Sequence, residues 1–79
     1  MIAITIPQEL WASAILPEGI LEQWLKPDRS QVRKGEAIAT VRIEDALHTL
    51  MAPATGRLTI VLPANAVVDP GASIGRVES

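Results

Sequence analysis

The chain has 79 residues, a length near the lower limit for a domain with its own core, and it predicts one domain over residues 1–79. Cysteine is absent, which excludes disulfides and thiolate metal sites, and a formal charge of -2 argues against the clustered basic face of a nucleic-acid-binding protein. With 48% hydrophobic but only 3% aromatic residues, the core must be built mainly from Ile, Leu, Val and Ala. No apolar run approaches the roughly 20 residues of a membrane span, and the N-terminus lacks the layout of a signal peptide, so we expect a soluble cytoplasmic protein with no membrane contact.

Alternating apolar residues predict six β-strands along the chain. Pro7 closes the first strand, and Pro27 follows the second. Between these two strands, residues 8–18 lack alternation, and we expect a loop with one helical turn around residues 9–14. The predicted strands span residues 2–6, 20–25, 37–43, 47–51, 58–63 and 73–77, with turns at 32–36 and 68–71.

The middle of the chain has the pattern of a β-hairpin. Apolar alternation runs in from Ile38, stops at the polar pair Glu44-Asp45, and resumes as far as Gly56. Because the break contains two acids and no glycine, the sequence favours a type I turn over a primed two-residue turn. A hairpin tip at the midpoint of the chain is a candidate functional feature.

The two halves of the chain form an internal repeat. Five residues of the first half recur in the second at a constant offset of 36, whereas Gly19 and Gly56 are 37 apart, which implies a one-residue slip. We expect positive φ at Gly35, which recurs as Gly71. Two such copies, each too short to bury its own face, predict a flattened two-sheet barrel with pseudo-twofold symmetry. The repeat matches Pro27 with Pro63, Val32 with Val68, Gly35 with Gly71, Ile38 with Ile74 and Val41 with Val77.

Five motifs follow one another along the chain: Ile4-x-Ile6-Pro7, Gly19-Ile20-x-x-x-Trp24-Leu25, Val32-Arg33-Lys34-Gly35-Glu36-x-Ile38-Ala39-x-Val41, Ala52-Pro53-x-x-Gly56 and Val68-x-x-Gly71-x-x-Ile74. This ordered set resembles a lipoyl domain, the module found in the acyltransferase components of 2-oxoacid dehydrogenase complexes, and the biotinyl carrier domains share that fold. The resemblance implies an all-β flattened barrel or sandwich of two four-stranded antiparallel sheets. The expected core is Ile4, Ile6, Ile20, Trp24, Val32, Ile38, Val41, Leu58, Ile60, Val68, Ile74 and Val77.

The residue at the hairpin tip departs from the lipoyl pattern. In that family the tip reads Asp-Lys-Ala, and the lysine carries lipoamide; here it reads Glu44-Asp45-Ala46, so that Asp45 stands at the lysine position. The biotinyl Met-Lys-Met motif aligns to the same place and is also missing. An aspartate has no amine to acylate, so attachment of lipoate or biotin is not expected. The remaining lysines, Lys26 at a strand end and Lys34 in a turn, are interpreted as structural.

Other polar residues show no catalytic or metal-binding pattern. Glu44 and Asp45 are adjacent in an exposed turn, whereas a catalytic carboxylate pair needs a shared, buried pocket. His48 is the only histidine, and neither a third metal ligand nor a nucleophile accompanies it. We therefore predict no catalytic residue and no metal site.

The segment between Pro7 and Gly19 has two open interpretations. It is about three residues longer than the lipoyl counterpart, a loop that in the family lies beside the hairpin and helps ligases and dehydrogenases recognise the domain. Its apolar residues either cap an open end of the barrel or form a contact patch for a partner. These residues are Leu10, Trp11, Ile15 and Leu16.

The leading hypothesis is a non-enzymatic, monomeric interaction module without the modifiable lysine, which binds a protein partner through Glu44, Asp45, Ala46 and Trp11. By resemblance, the partner is a component of a 2-oxoacid dehydrogenase-type complex or a lipoate ligase. The alternative is a relative of a genuine lipoyl or biotinyl swinging-arm carrier, whose natural form or paralogue bears lysine at position 45. The initial Met and compact ends predict a complete gene product.

Overall fold

The computed structural model describes residues 1–12 and 14–79 and consists of two four-stranded antiparallel sheets around a shared aliphatic core. The sheets remain separate rather than closing into a barrel, and the predicted all-β fold is confirmed. The strand orders are β1-β8-β6-β3 in sheet A and β5-β4-β2-β7 in sheet B. The elements are β1 Ile2–Thr5, a 3₁₀ turn at Gln8–Trp11, β2 Gly19–Trp24, β3 Gln31–Val32, β4 Ala37–Ile43, β5 Ala46–Met51, β6 Gly56–Ile60, β7 Val67–Val68 and β8 Ser73–Glu78.

Two strands of only two residues, β3 and β7, complete the sheets. The sequence placed Val32 and Val68 at the beginning of turns, but both are buried and paired, Val32 with Gly56 and Val68 with Gly19. A strand of two residues is too short to show alternation, which is why the pattern did not reveal it. The predicted helical turn is present as a 3₁₀ turn at Gln8–Trp11, and Ser13, within the predicted range of 9–14, lies outside the described residues.

Pseudo-twofold symmetry relates the two sheets. The order of sheet A maps strand for strand onto that of sheet B, so that β2, β3 and β4 correspond to β6, β7 and β8, and β1 corresponds to β5. The glycine turns also match, because Gly35 and Gly71 have φ of 87° and 83°, as predicted for Gly35. Each sheet contains strands from both halves, so the halves are stable only when packed together.

The register of β2 differs from the prediction. Ile20 was expected in the core but is 42% exposed, whereas its neighbour Leu21 is fully buried. A β-bulge between Leu21 and Gln23 inserts one residue, so Leu21 and Trp24 both face inward although they are three positions apart. Trp24 and Ile60 are half-buried against the core, and the other expected core residues are buried: Ile4, Ile6, Val32, Ile38, Val41, Leu58, Val68, Ile74 and Val77.

The molecule is elongated, measuring 36 × 20 × 16 Å, and the symmetry relates its two ends. The hairpin of β4 and β5 protrudes at one end, and its equivalent at the other end is the pairing of β8 with β1, where Ile2 lies opposite Val77. Among the described residues, no helix has the length and apolarity needed to cross a membrane.

Candidate functional site

The hairpin tip consists of two residues, Glu44 and Asp45, because Ile43 and Ala46 form the last pair of the ladder. Glu44 has a φ of 56°, in the left-handed region. A type I turn requires a φ near -60° at this position, so the type I prediction is wrong and the turn belongs to the primed class. The physical reason is the right-handed twist of the flanking strands, which two-residue loops match only with primed turns.

The Glu44 carboxylate connects the hairpin tip to the long loop that precedes β2. Its Oε2 accepts hydrogen bonds from the backbone N–H of Ile15 at 2.6 Å and of Leu16 at 3.0 Å. The N–H donors of Leu16 and Ile15 lower the pKa of Glu44, because they stabilise the charged form. Glu44 is therefore not a free contact residue. It holds the loop against the tip and helps to maintain a backbone conformation that is unfavourable for a non-glycine residue.

Trp11 caps the end of the core beneath the hairpin. Its side chain is only 9% exposed, and a Cβ placed on Gly19 would lie 3.3 Å from Trp11 Cζ2 and 3.1 Å from Ile43 Cγ1. The glycine thus allows the indole to pack closely against β2. The apolar residues of this loop were expected either to cap the end of the barrel or to contact a partner. Trp11 does the first, because little of its surface is accessible to a partner. The exposed apolar residues are Ile15, at 91%, and Leu16, at 59%.

An open groove of about 560 Å³ lies between the 3₁₀ turn and the hairpin tip. Its wall combines the carboxylates of Glu9, Glu44 and Asp45 with His48 and small apolar side chains. Neither Glu9 nor Asp45 forms an ion pair with any residue in 1–12 or 14–79. The same part of the chain contains no cluster of three or more His, Cys, Asp or Glu that could hold a metal ion. The groove offers an acidic, partly apolar contact surface beside the exposed Asp45 and Ala46.

The two lysines lie far from the hairpin tip. Lys34 is in the turn that precedes β4, and the 7 residues of that strand separate this turn from Glu44, a span of about 23 Å at ~3.3 Å per residue. Lys26 forms an ion pair with Glu36 of the same turn at 3.0 Å. Neither lysine can therefore place its amine at the hairpin tip, where Asp45 lies.

We expect the loop to respond to pH through Glu44. The folded-state pKa of Glu44 lies below its ordinary value, so its stabilising hydrogen bonds are present above the ordinary pKa and are lost as the pH falls through the folded pKa. The amide ¹H shifts of Ile15 and Leu16 in NMR spectra should titrate together, with a midpoint below that of an ordinary glutamate. Glu44→Gln should abolish this titration, whereas Glu36→Gln should not. A titration that persists in Glu44→Gln would contradict the assignment.

The comparison with solved structures supports the fold. No family model matches the sequence, and no curated protein matches it. Among solved structures, the lipoyl domain of the 2-oxoglutarate dehydrogenase complex from Azotobacter vinelandii superposes with a TM-score of 0.79. The two chains are 21% identical, and the match covers 100% of this chain and 98% of that one. The lipoyl-domain fold expected from the motifs is therefore confirmed.

Proposed function

We propose that this chain is a non-enzymatic lipoyl-like module that carries no acyl group and binds a protein partner with its hairpin-tip end. The observation that carries the proposal is the position of Asp45, an exposed carboxylate at the second residue of the two-residue tip. A carboxylate cannot form the amide bond through which a lysine carries lipoate or biotin. The tip is nevertheless held in a defined conformation by the hydrogen bonds of Glu44, as a recognition element requires.

The surface available for such binding includes the tip and the neighbouring loop. Asp45 and Ala46 are exposed, and the acidic groove adjoins them. Ile15 and Leu16 add exposed apolar area in the loop that Glu44 holds in place. Trp11 is largely buried and adds little surface of its own. An apolar centre with a charged rim is typical of protein-binding surfaces.

For the partner, we propose a component of a 2-oxoacid dehydrogenase-type complex or a lipoate ligase. The structural neighbour belongs to the 2-oxoglutarate dehydrogenase complex, and this supports the choice. To test it, a photo-reactive amino acid is placed at Asp45 and, as a control at the opposite end of β4, at Lys34. Each variant is then irradiated with the purified complex or ligase. Cross-linking from position 45 alone is expected, and equal cross-linking from both positions would contradict a tip-specific contact.

The absence of a bound cofactor can be measured directly. Intact-mass spectrometry of the protein isolated from its native cell should give the mass of the bare chain. An added lipoyl or biotinyl group would mean that Lys26 or Lys34 is used, and it would overturn the proposal.

The alternative is that the chain is a relative of a lipoyl or biotinyl swinging-arm carrier whose natural form or paralogue bears lysine at position 45, and the exposed two-residue tip favours testing it. We expect Asp45→Lys to accept lipoate from a lipoate ligase, since the substitution places an amine at the exposed tip without changing the ladder. Intact mass should increase by one lipoyl group in Asp45→Lys and stay unchanged in the wild type, whose Lys26 and Lys34 serve as internal controls. An unmodified Asp45→Lys chain would show that the longer loop has also lost ligase recognition, and it would remove the ligase from the proposed partners.

A further inference from the structure

A groove of about 880 Å³ lies on the outer face of sheet A, away from the hairpin tip. Three of the chain's five arginines line it: Arg29 in the turn before β3, Arg57 on β6 and Arg76 on β8. These residues are far apart in the sequence. The pairing of β6 with β3 and β8 brings them to one surface.

The carboxylates in this groove are already engaged by the fold. Asp28 Oδ1 accepts a hydrogen bond from the N–H of Ile60 at 2.9 Å. Glu78 Oε2 accepts hydrogen bonds from Thr59 Oγ1 at 3.0 Å and from Arg76 Nε at 3.1 Å, and these two donors lower the pKa of Glu78.

Arg29 and Arg57 form no ion pair with the residues that the structure describes. Arg57 lies opposite Glu78 on the neighbouring strand, but that carboxylate already binds Arg76. Two guanidinium groups in the groove therefore have no carboxylate partner among residues 1–12 and 14–79.

The backbone conformation at position 29 does not explain why the residue there is an arginine. Arg29 has a φ of 69°, and Asn65, at the offset of 36, has a φ of 75°. Both backbone N–H groups make equivalent hydrogen bonds, from Arg29 to the carbonyl of Leu58 at 2.7 Å and from Asn65 to that of Leu21 at 2.6 Å. The fold thus requires a left-handed residue in both turns. One half uses Asn, which tolerates this conformation, and the other uses Arg at an energetic cost.

The equivalent face of sheet B shows that the fold does not require arginines in the groove. There Ile20 takes the position of Arg57, and Val67 takes that of Gln31, and both side chains are exposed. The two faces have the same backbone arrangement, but the arginine on the sheet B face, Arg42, lies opposite Ile20 and forms an ion pair with Glu22 at 2.9 Å. The arginines of sheet A are therefore a property of that surface and not of the architecture.

We propose that the arginine groove of sheet A, formed around Arg29, Arg57 and Arg76, is a docking site for an acidic segment of a protein partner. A guanidinium binds carboxylates through paired, charge-assisted hydrogen bonds, and two of these groups are unpaired within the described fold. A protein segment fits better than a nucleic acid, because flexible acidic side chains can reach the guanidinium groups and avoid Asp28 and Glu78, whereas a continuous phosphate backbone must pass beside these carboxylates. The site is separate from the hairpin tip and is independent of the proposed function.

The test measures binding of a fluorescein-labelled hexaglutamate peptide by fluorescence anisotropy at low ionic strength, with a hexaglutamine peptide as the uncharged control. The wild type should bind hexaglutamate, and Arg57→Ala should weaken that affinity by roughly tenfold, as expected for one lost charge-assisted interaction. Arg29→Asn introduces the residue of the matching turn, so it should weaken binding similarly while raising the melting temperature. The opposite signs of these two effects separate a binding role from a structural one.

Arg33→Ala is the matched control, because it removes the same charge outside the groove. It should leave the affinity for hexaglutamate unchanged. Equal losses in Arg33→Ala and the groove variants would show that only net charge matters and would overturn the proposal. Tighter binding of a single-stranded hexanucleotide than of hexaglutamate would also overturn it, in favour of nucleic acid.

Discussion

Gly56→Ala is expected to destabilise the domain strongly. A Cβ at this position would lie 2.8 Å from the carbonyl carbon of Glu78 and closer still to its oxygen. Both are backbone atoms of Glu78, the last residue of β8, so relieving the clash requires moving this end of β8 away from β6. The unfolding free energy of a 79-residue domain is about 4–12 kcal/mol at ~0.05–0.15 kcal/mol per residue, and the loss of this pairing would exceed about 4 kcal/mol.

The control is Gly35→Ala, which separates steric overlap from backbone conformation. Among the described residues, no heavy atom outside Gly35 and its two chain neighbours lies within 4 Å of a Cβ placed on Gly35, but its φ is 87°. We expect a cost of about 1–2 kcal/mol for the left-handed conformation and a folded protein. Far-UV circular dichroism during urea unfolding should show a lowered midpoint for Gly35→Ala and a much lower midpoint for Gly56→Ala. Similar midpoints for the two variants would contradict the close approach of β6 to β8.

Much of this architecture can be predicted from the sequence, because alternate burial and the repeat at an offset of 36 produce regular patterns of apolar residues. The prediction is wrong where the backbone is irregular. The bulge after Leu21 adds one residue to β2, and a continuous apolar run such as Ile20-Leu21 carries no sign of which side chain turns inward. Strands of two residues, such as β3, are likewise set by their partners and not by their own pattern.

The candidate site is predictable in position but not in conformation. The break in alternation located Glu44 and Asp45 correctly at the tip. The primed turn at Glu44 depends on strand twist and on N–H donors 28 and 29 residues earlier in the chain, which local propensity does not report. The arginine groove was not predicted, because its residues are far apart in the sequence and come together only through strand pairing. The available signal was the repeat, which aligns Arg29 with Asn65.

The second large effect on stability is expected at Trp11, because this side chain fills the end of the core below the hairpin. Trp11→Ala should destabilise the domain by about 3–5 kcal/mol, as expected for removal of a buried aromatic side chain. Trp11→Phe should behave differently. Trp11 Nε1 is buried and has no hydrogen-bond partner within the described residues, so Phe removes a penalty of about 1–3 kcal/mol that offsets much of the lost packing.

Trp24→Phe is the matched control for Trp11→Phe, because Trp24 Nε1 donates a hydrogen bond to the carbonyl of Leu62 at 2.9 Å. The same change in side-chain size there leaves a carbonyl unpaired and should cost about 1 kcal/mol more than at Trp11. Urea unfolding of the two single variants measures the difference. A larger loss for Trp11→Phe would mean that the Trp11 indole N–H does find a partner in solution. The cap would then be held by a hydrogen bond and not by packing against Gly19 and Ile43 alone.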